Sequence, residues 1–417
     1  MVAVDILHTI AQHYHHDDIN FILKLSQLFR SSYDPVFWGG ILCGILLLYV
    51  STSRFVHLID ASQDRKADGF AENTWTYSVI AFLIVVYILD GINGTSGCWP
   101  ESMSIKGPTK QINIAGTFLG PLWSNFKEYQ RGKQPLGNLT DYSVRSGQLS
   151  PSYKHFSDAS RQLLVIVESW GAIQDTELRT VQEAVFSDAL ASKYKLQFGV
   201  TPFFGSTSGA EARELMQKEP AAYYSVLSSG PQEHQTLITR MKQQGKTTMA
   251  FFPFQWHYGN AFLFRKRLGF DHIFSISELR AKLSPNVSAN TENQYDALDD
   301  EVALFEAVRQ ASSQPKTFSY VLTINTHMPF QLANKHKISP DYQAFVSRWG
   351  THFPTETSID HYFRILALFK ALALSLTDGI LDEVVIVGDH AAPFTNDAER
   401  KLFSSSTVPY LFLKAIR

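Results

Sequence analysis

The run Val384-Val385-Ile386-Val387 ends at Gly388 and gives way at once to Asp389 and His390. Side by side, a carboxylate and an imidazole offer one hard oxygen and one nitrogen, a donor pair suited to a divalent metal. For the dipeptide alone the plainer alternative is an Asp that caps the next helix beside an exposed His. Three further segments weigh toward chemistry. Leu163-Leu164-Val165-Ile166-Val167 runs straight into Glu168-Ser169-Trp170-Gly171. A carboxylate directly after a buried strand needs a partner, whether a metal, an Arg or backbone amides, because burying it alone is expensive. Gly205-Ser206-Thr207-Ser208-Gly209-Ala210-Glu211 sets three hydroxyls before a helical pattern. One of them can N-cap that helix, with Glu211 in its first turn. A hydroxyl there can also act as a nucleophile, since amide donors and the helix dipole favour an alkoxide and a bound phosphate oxygen. A coordinated metal would lower its pKa further. In Leu322-Thr323-Ile324-Asn325-Thr326-His327-Met328-Pro329-Phe330, a strand runs into a His before a Pro breaks it. His327 can donate to a phosphate oxygen, protonate a leaving group, bind a metal, or simply pack at the strand end. In Trp256-His257-Tyr258-Gly259-Asn260-Ala261-Phe262-Leu263-Phe264-Arg265, His257 and Arg265 suit an anionic or polyol headgroup, while the aromatics suit a core.

These residues need a scaffold that brings distant strand ends together. From Arg161 the pattern alternates strands with helices, which marks an α/β sheet. Strands are expected at 163–167, 247–252, 318–324, 384–387 and 408–413. Helices are expected at 181–192, 211–217, 235–244, 301–310 and 359–375, the last with an apolar stripe at 365, 366, 369, 372 and 376. In such open sheets ligands bind beyond the carboxyl ends of the strands, where Glu168, His327, Asp389 and His390 all fall.

The 417 residues suffice for one large α/β domain and something smaller. A net charge of -2 without a long basic tract argues against a nucleic-acid partner, and two cysteines make no disulfide framework. Apolar stretches at about 36–53 and 75–92 read as two transmembrane helices, so residues 1–92 form a membrane anchor. Phe21 to Arg30 is amphipathic and suits a membrane surface. Arg54, Arg65 and Lys66 between the spans favour a cytoplasmic loop, with the large C-terminal part on the other side. Residues 93–160 read as a linker, with a short helix at Gly120–Phe126, and 161–417 as the globular domain.

Taken in order, Glu-Ser-Trp-Gly, Thr-Ser-Gly-Ala-Glu, Thr-His-Met-Pro-Phe and Gly-Asp-His resemble the sulfatase-like branch of the alkaline phosphatase superfamily. More narrowly, they resemble its membrane-anchored lipoteichoic acid synthases and phosphoethanolamine transferases. The resemblance implies an α/β/α sandwich with a mostly parallel sheet, after N-terminal transmembrane helices. It implies a metal shell of Glu168, Thr207, Asp389 and His390, holding Zn2+ or Mn2+. Thr207 rather than Ser208 would be the nucleophile, because Glu211 stands where the family often has Glu four residues after its threonine. His327 would contact substrate, and His257 and Arg265 fall near the family's headgroup-binding His and Arg. The implied activity moves a phospholipid headgroup phosphate, phosphoethanolamine or phosphoglycerol, through a phospho-threonine to an envelope glycan or lipid. The implied location is the cytoplasmic membrane, with the catalytic domain outside. A catalytically silent partner in an envelope polysaccharide assembly complex, and a phosphodiesterase of the same superfamily, are the alternatives. Sulfate-ester hydrolysis is disfavoured: Cys98-Trp99-Pro100-Glu101-Ser102 lacks the Arg of the Cys/Ser-x-Pro-x-Arg setting and lies before the sheet domain.

Overall fold

Runs of apolar and β-branched residues buried on both faces build the centre of the main sheet, as a parallel arrangement requires. The computed structural model describes residues 105–106, 111–112 and 135–416, apart from 230–235, 255–260, 283–296, 328–331, 333 and 395–396. The chain divides into two compact units, Met1–Thr95 and Ser96–Arg417. The segments expected as membrane spans, the helix expected at Gly120–Phe126 and His257 lie outside the described residues. Among the described residues no helix is long and apolar enough to cross a membrane.

The main sheet has strands β1 (Arg161–Val167), β2 (Tyr194–Pro202), β3 (Thr247–Phe251), β4 (His272–Phe274), β5 (Thr317–Leu322), β6 (Glu383–Gly388) and β7 (Thr407–Ala415). Their spatial order is β2-β7-β6-β1-β5-β3-β4. Only β7 runs antiparallel, to both β2 and β6. A two-residue pair, Ile105–Lys106 with Gln111–Ile112, stands apart as a second small sheet.

In chain order the helices that cover the sheet or extend its layers are α1 (Tyr142–Ser146), α2 (Pro151–His155), α3 (Thr176–Leu190), α4 (Thr207–Met216), α5 (Ala221–Ser229), α6 (Leu237–Gln243), α7 (Ala261–Leu268), α8 (Ile276–Lys282), α9 (Asp300–Ser312), α10 (Asn334–Lys337), α11 (Pro340–Trp349), α12 (Glu356–Ser375) and α13 (Asp397–Arg400). Leu164 and Ile166 of β1 pack in a core with Ala212 and Leu215 of α4, Ile238 and Met241 of α6 and Phe264 of α7. Leu163, Val165 and Val167 face a second core with Phe186 of α3, Leu304 of α9 and Phe369 of α12. Successive strand residues thus feed opposite layers, giving the expected α/β sandwich. The long α12 starts at a capping box, with Thr355 Oγ1 accepting from the Ser358 amide.

Residues 136–156, within the stretch expected as linker, contribute to the core: Leu136, Leu139, Tyr142 and Phe156 are buried. Ser152 donates its hydroxyl to Glu214 O at 2.7 Å, fastening this segment to α4. Two strands missing from the expectation, β2 and β4, form the sheet's outer strands, β2 interrupted by Gly199 and Pro202 and β4 only three residues long.

Candidate active site

Parallel pairing sets the site. Val167 of β1 stands opposite Gly388 of β6, so the next residues, Glu168 and Asp389, leave the sheet side by side. α4 brings Thr207 onto them: its Oγ1 lies 2.9 Å from Asp389 Oδ2 and 3.0 Å from Glu168 Oε2. One hydroxyl carries one proton and can serve only one carboxylate at a time. His390 Nε2 completes the group, 3.3 Å from Asp389 Oδ2 and 3.5 Å from Glu168 Oε1. Its Nδ1 sits 2.9 Å from Ala391 O, where it can only donate, and this bond turns Nε2 toward the carboxylates.

The donor set fits a divalent cation. Glu168, Asp389 and His390 each offer one ligand atom, all within 4.8 Å of one another, and all three residues are buried. Burial first, and then the charge of Asp389, push the Glu168 carboxyl well above the usual carboxylate range. Two buried carboxylates at contact call for a proton or a cation between them. Thr207 is only partly buried, so it is the member of the four that solvent reaches most readily.

Each ligand is buttressed. Asp389 Oδ1 accepts from the Ser169 amide at 2.7 Å and from its neighbour His390 N at 2.6 Å. Ser169 makes that bond from the left-handed region, φ 56°, a conformation that costs a non-glycine residue about 1–2 kcal/mol. The Glu168 amide donates to Thr323 Oγ1 at 2.9 Å, and Thr326 Oγ1 donates to Glu168 O. At Gly388 an added Cβ would stand 2.0 Å from Trp170 O, so only glycine allows the β6 end to pass this close to the turn after Glu168.

The structure therefore brings four of the expected residues together: Glu168, Thr207, Asp389 and His390. Ser208 is elsewhere engaged, its Oγ 3.2 Å from Ser206 Oγ. Ser206 is N-cap by position but makes no side-chain cap bond, and α4 starts at Thr207 rather than at Glu211. His327 is half-buried in the turn after β5, its amide donating to Ile324 O at 2.9 Å. The same turn reaches Glu168 through Thr326.

Arg265, expected to meet the headgroup, is fully enclosed at 0 % exposure and holds Glu211 Oε1 at 2.7 Å. Tyr320 donates to the same oxygen at 2.8 Å. Its guanidinium is spent on the interior of the α4 layer and is not presented at the surface of the site. Sequence reading also passed over Ser169, Thr323, Thr326 and Arg213, whose contacts are with backbone and side-chain atoms of the site loops. Thr323 directly follows β5 and Thr326 directly precedes His327, a usable signal; Arg213 had none, because its partner lies 175 residues away.

The sulfatase family model matches residues 163–373, just over half of the chain, and the chain belongs to that family. No curated protein matches the sequence. Among solved structures it is similar to the lipoteichoic acid synthase LtaP from Listeria monocytogenes, with 18% identity, TM-score 0.43 and coverage of 69% of this chain and 71% of that one. It is similar to the C-terminal periplasmic domain of EptC from Escherichia coli, with 15% identity, TM-score 0.40 and coverage of 68% and 76%. The phosphoglycerol transferase GacH of Streptococcus pyogenes, in complex with sn-glycerol-1-phosphate, is similar with 15% identity, TM-score 0.41 and coverage of 75% and 78%.

Proposed function

We propose that the chain is a metal-dependent transferase that moves a phospholipid headgroup phosphate, phosphoethanolamine or phosphoglycerol, through a covalent phospho-threonine at Thr207. The acceptor is a hydroxyl of a cell-envelope glycan or lipid. The observation that carries this reading is Thr207 Oγ1 at 2.9 Å from Asp389 Oδ2 and 3.0 Å from Glu168 Oε2, at the carboxyl edge of the sheet. A phosphodiester arriving from solvent meets the partly buried hydroxyl before it meets the buried carboxylates.

Glu168, Asp389, His390 and Thr207 would hold Zn2+ or Mn2+, which supplies Lewis acidity at the hydroxyl and at the phosphoryl oxygens. Thr207 Oγ1 bonds to phosphorus, the bond from phosphorus to the glyceride oxygen breaks, and diacylglycerol leaves carrying a proton. The acceptor hydroxyl then attacks in line, the bond from phosphorus to Oγ1 breaks, and Thr207 regains its proton. His327 stands on the turn tied to Glu168 and would donate to a phosphoryl or leaving oxygen. The absence of a Cys/Ser-x-Pro-x-Arg segment supports chemistry at phosphorus rather than at sulfur. The apolar stretches at 36–53 and 75–92 support a chain held in the cytoplasmic membrane, its catalytic domain on the far side, where a lipid donor is at hand.

The test is turnover of fluorescent phosphatidylethanolamine and phosphatidylglycerol by the full chain loaded with Zn2+ or Mn2+. Labelled diacylglycerol released by the unaltered chain and not by Thr207→Ala is the expected result. Equal release by both would overturn the assignment of Thr207. Metal bound without any release would favour the silent partner, and free headgroup phosphate without acceptor would favour a hydrolase.

A further inference from the structure

α4 is tied to the end of β6 at two places. The first is the contact between Thr207 Oγ1 and Asp389 Oδ2. The second lies six residues further along the helix, about 9 Å along its axis. There Arg213 Nη2 donates to Gly388 O at 2.8 Å, the carbonyl of the peptide that carries Asp389. Arg213 is 2 % exposed, and its Nε also holds Glu214 Oε1 at 2.6 Å. Glu214 in turn accepts from the Ser152 amide at 3.0 Å. Asp389 N donates to Val167 O at 3.1 Å, so this same peptide unit is bonded to α4 on its carbonyl side and to β1 on its amide side.

We infer that Arg213 is a positioning residue for Thr207. This inference rests on the reading of Thr207 as a member of the metal and phosphate site. The Glu211 contacts hold α4 to Arg265 of α7 and Tyr320 of β5 but do not reach the end of β6. The Arg213 bond ties the helix to β6 itself, and with it sets the gap between the Thr207 hydroxyl and Asp389. The guanidinium suits the task because two of its N–H vectors diverge in a fixed plane, toward Gly388 O and toward Glu214. A lysine keeps the charge beside Glu214 but cannot span both partners in that geometry. The Glu214 half of the network joins α4 to the 151–155 segment and does not reach Asp389, so its loss weakens the fold without releasing the gap.

The experiment is a double-substitution cycle on the full chain, read by competition for Zn2+ with a chromophoric chelator. Thr207→Ala is expected to weaken Zn2+ binding about 10-fold beside Arg213, and much less in Arg213→Lys, where the hydroxyl is no longer held in place. Equal weakening in both backgrounds overturns the inference while leaving the site reading intact. No effect of Thr207→Ala in the unaltered chain, or no Zn2+ binding at all, removes the site reading and the inference with it. Phospholipid turnover adds a second readout. Arg213→Lys lowers kcat about 10-fold or more with KM unchanged, whereas Glu214→Gln, which keeps the bond to Gly388, loses thermal stability and keeps its kcat. If kcat follows melting temperature across both variants, Arg213 is structural only and the inference fails.

Discussion

Gly388→Ala puts the account of the site under direct strain. The added Cβ would stand 2.0 Å from Trp170 O, 3.0 Å from Trp170 C and 3.2 Å from Val408 Cβ. Carbon atoms rest at about 3.5–4.0 Å from their neighbours, so the two backbones must part by about 1 Å or more. No side chain can give way on the Trp170 side, since the obstacle is a peptide carbonyl. Overpacking of this kind costs about 1–3 kcal/mol, and a domain of this size loses about 2–4 °C in Tm per kcal/mol. The functional loss should exceed the loss in stability. Trp170 follows Glu168 by two residues and Gly388 precedes Asp389, so their separation opens the gap between the carboxylates. Misplacement by 1 Å can cost about 100-fold in rate. The assay is thermal unfolding with and without Zn2+, together with Zn2+ affinity. The variant should melt several degrees lower and gain less from Zn2+ than the unaltered chain. An alanine variant with unchanged Tm and unchanged Zn2+ affinity would show that the close approach at Gly388 does not set the site.

Further outcomes follow from the other buried groups. Arg265→Met strands Glu211 in the core and should cost about 3–5 kcal/mol, much of it recovered in the Glu211→Leu, Arg265→Met double variant; a specific rise in KM without loss of Tm would instead give Arg265 a substrate role. Glu168 holds its proton to an unusually high pH in the folded chain, so the unfolded state releases that proton first as pH rises. Metal-free stability should therefore fall as pH climbs from the unfolded carboxyl pKa through the folded one, chelator-treated Glu168→Gln should lose this slope, and Zn2+ binding should tighten with pH as the proton is displaced. Burial depresses the His361 imidazole to about 3, only partly opposed by its backbone bond to Thr326, with His390 adding to the depression. The unfolded chain then takes up this proton between about pH 6.5 and 3, stability declines on acidification through that window, and His361→Phe should flatten the decline in a urea series. A His361→Phe variant with the same acid slope would show that the proton goes elsewhere.

Much of the frame is legible without coordinates because its strands are apolar and β-branched on both faces. Observed β1, β5 and β6 overlap the expected 163–167, 318–324 and 384–387, with ends moved by one or two residues. β2 escaped because Gly199 and Pro202 within Tyr194–Pro202 read as loop residues, although its alternation of apolar and polar residues is a strand signal. The start of α4 escaped because Thr207-Ser208-Gly209 has poor helix propensity; its first turn is held instead by Ser206 O, which accepts from the Gly209 and Ala210 amides. Residues 168, 389 and 390 could be named from residue type and strand ends, whereas three hydroxyls at 206–208 stayed open until the family resemblance singled out Thr207. Their convergence depends on β1 pairing with β6, and strand pairing leaves no local mark. For the same reason Arg265 looked available for a ligand. A charge on a helix says nothing about whether Glu211 waits behind it.

Attack of the Thr207 hydroxyl on phosphorus leaves a covalent mark, which intact-mass and peptide mass spectrometry reads after incubation with lipid and metal. An added phosphoethanolamine or phosphoglycerol group is expected on the Thr207 peptide, absent from Thr207→Ala and discharged by an acceptor alcohol. An adduct on Ser208 or Ser206, or turnover that persists in Thr207→Ala, would contradict it.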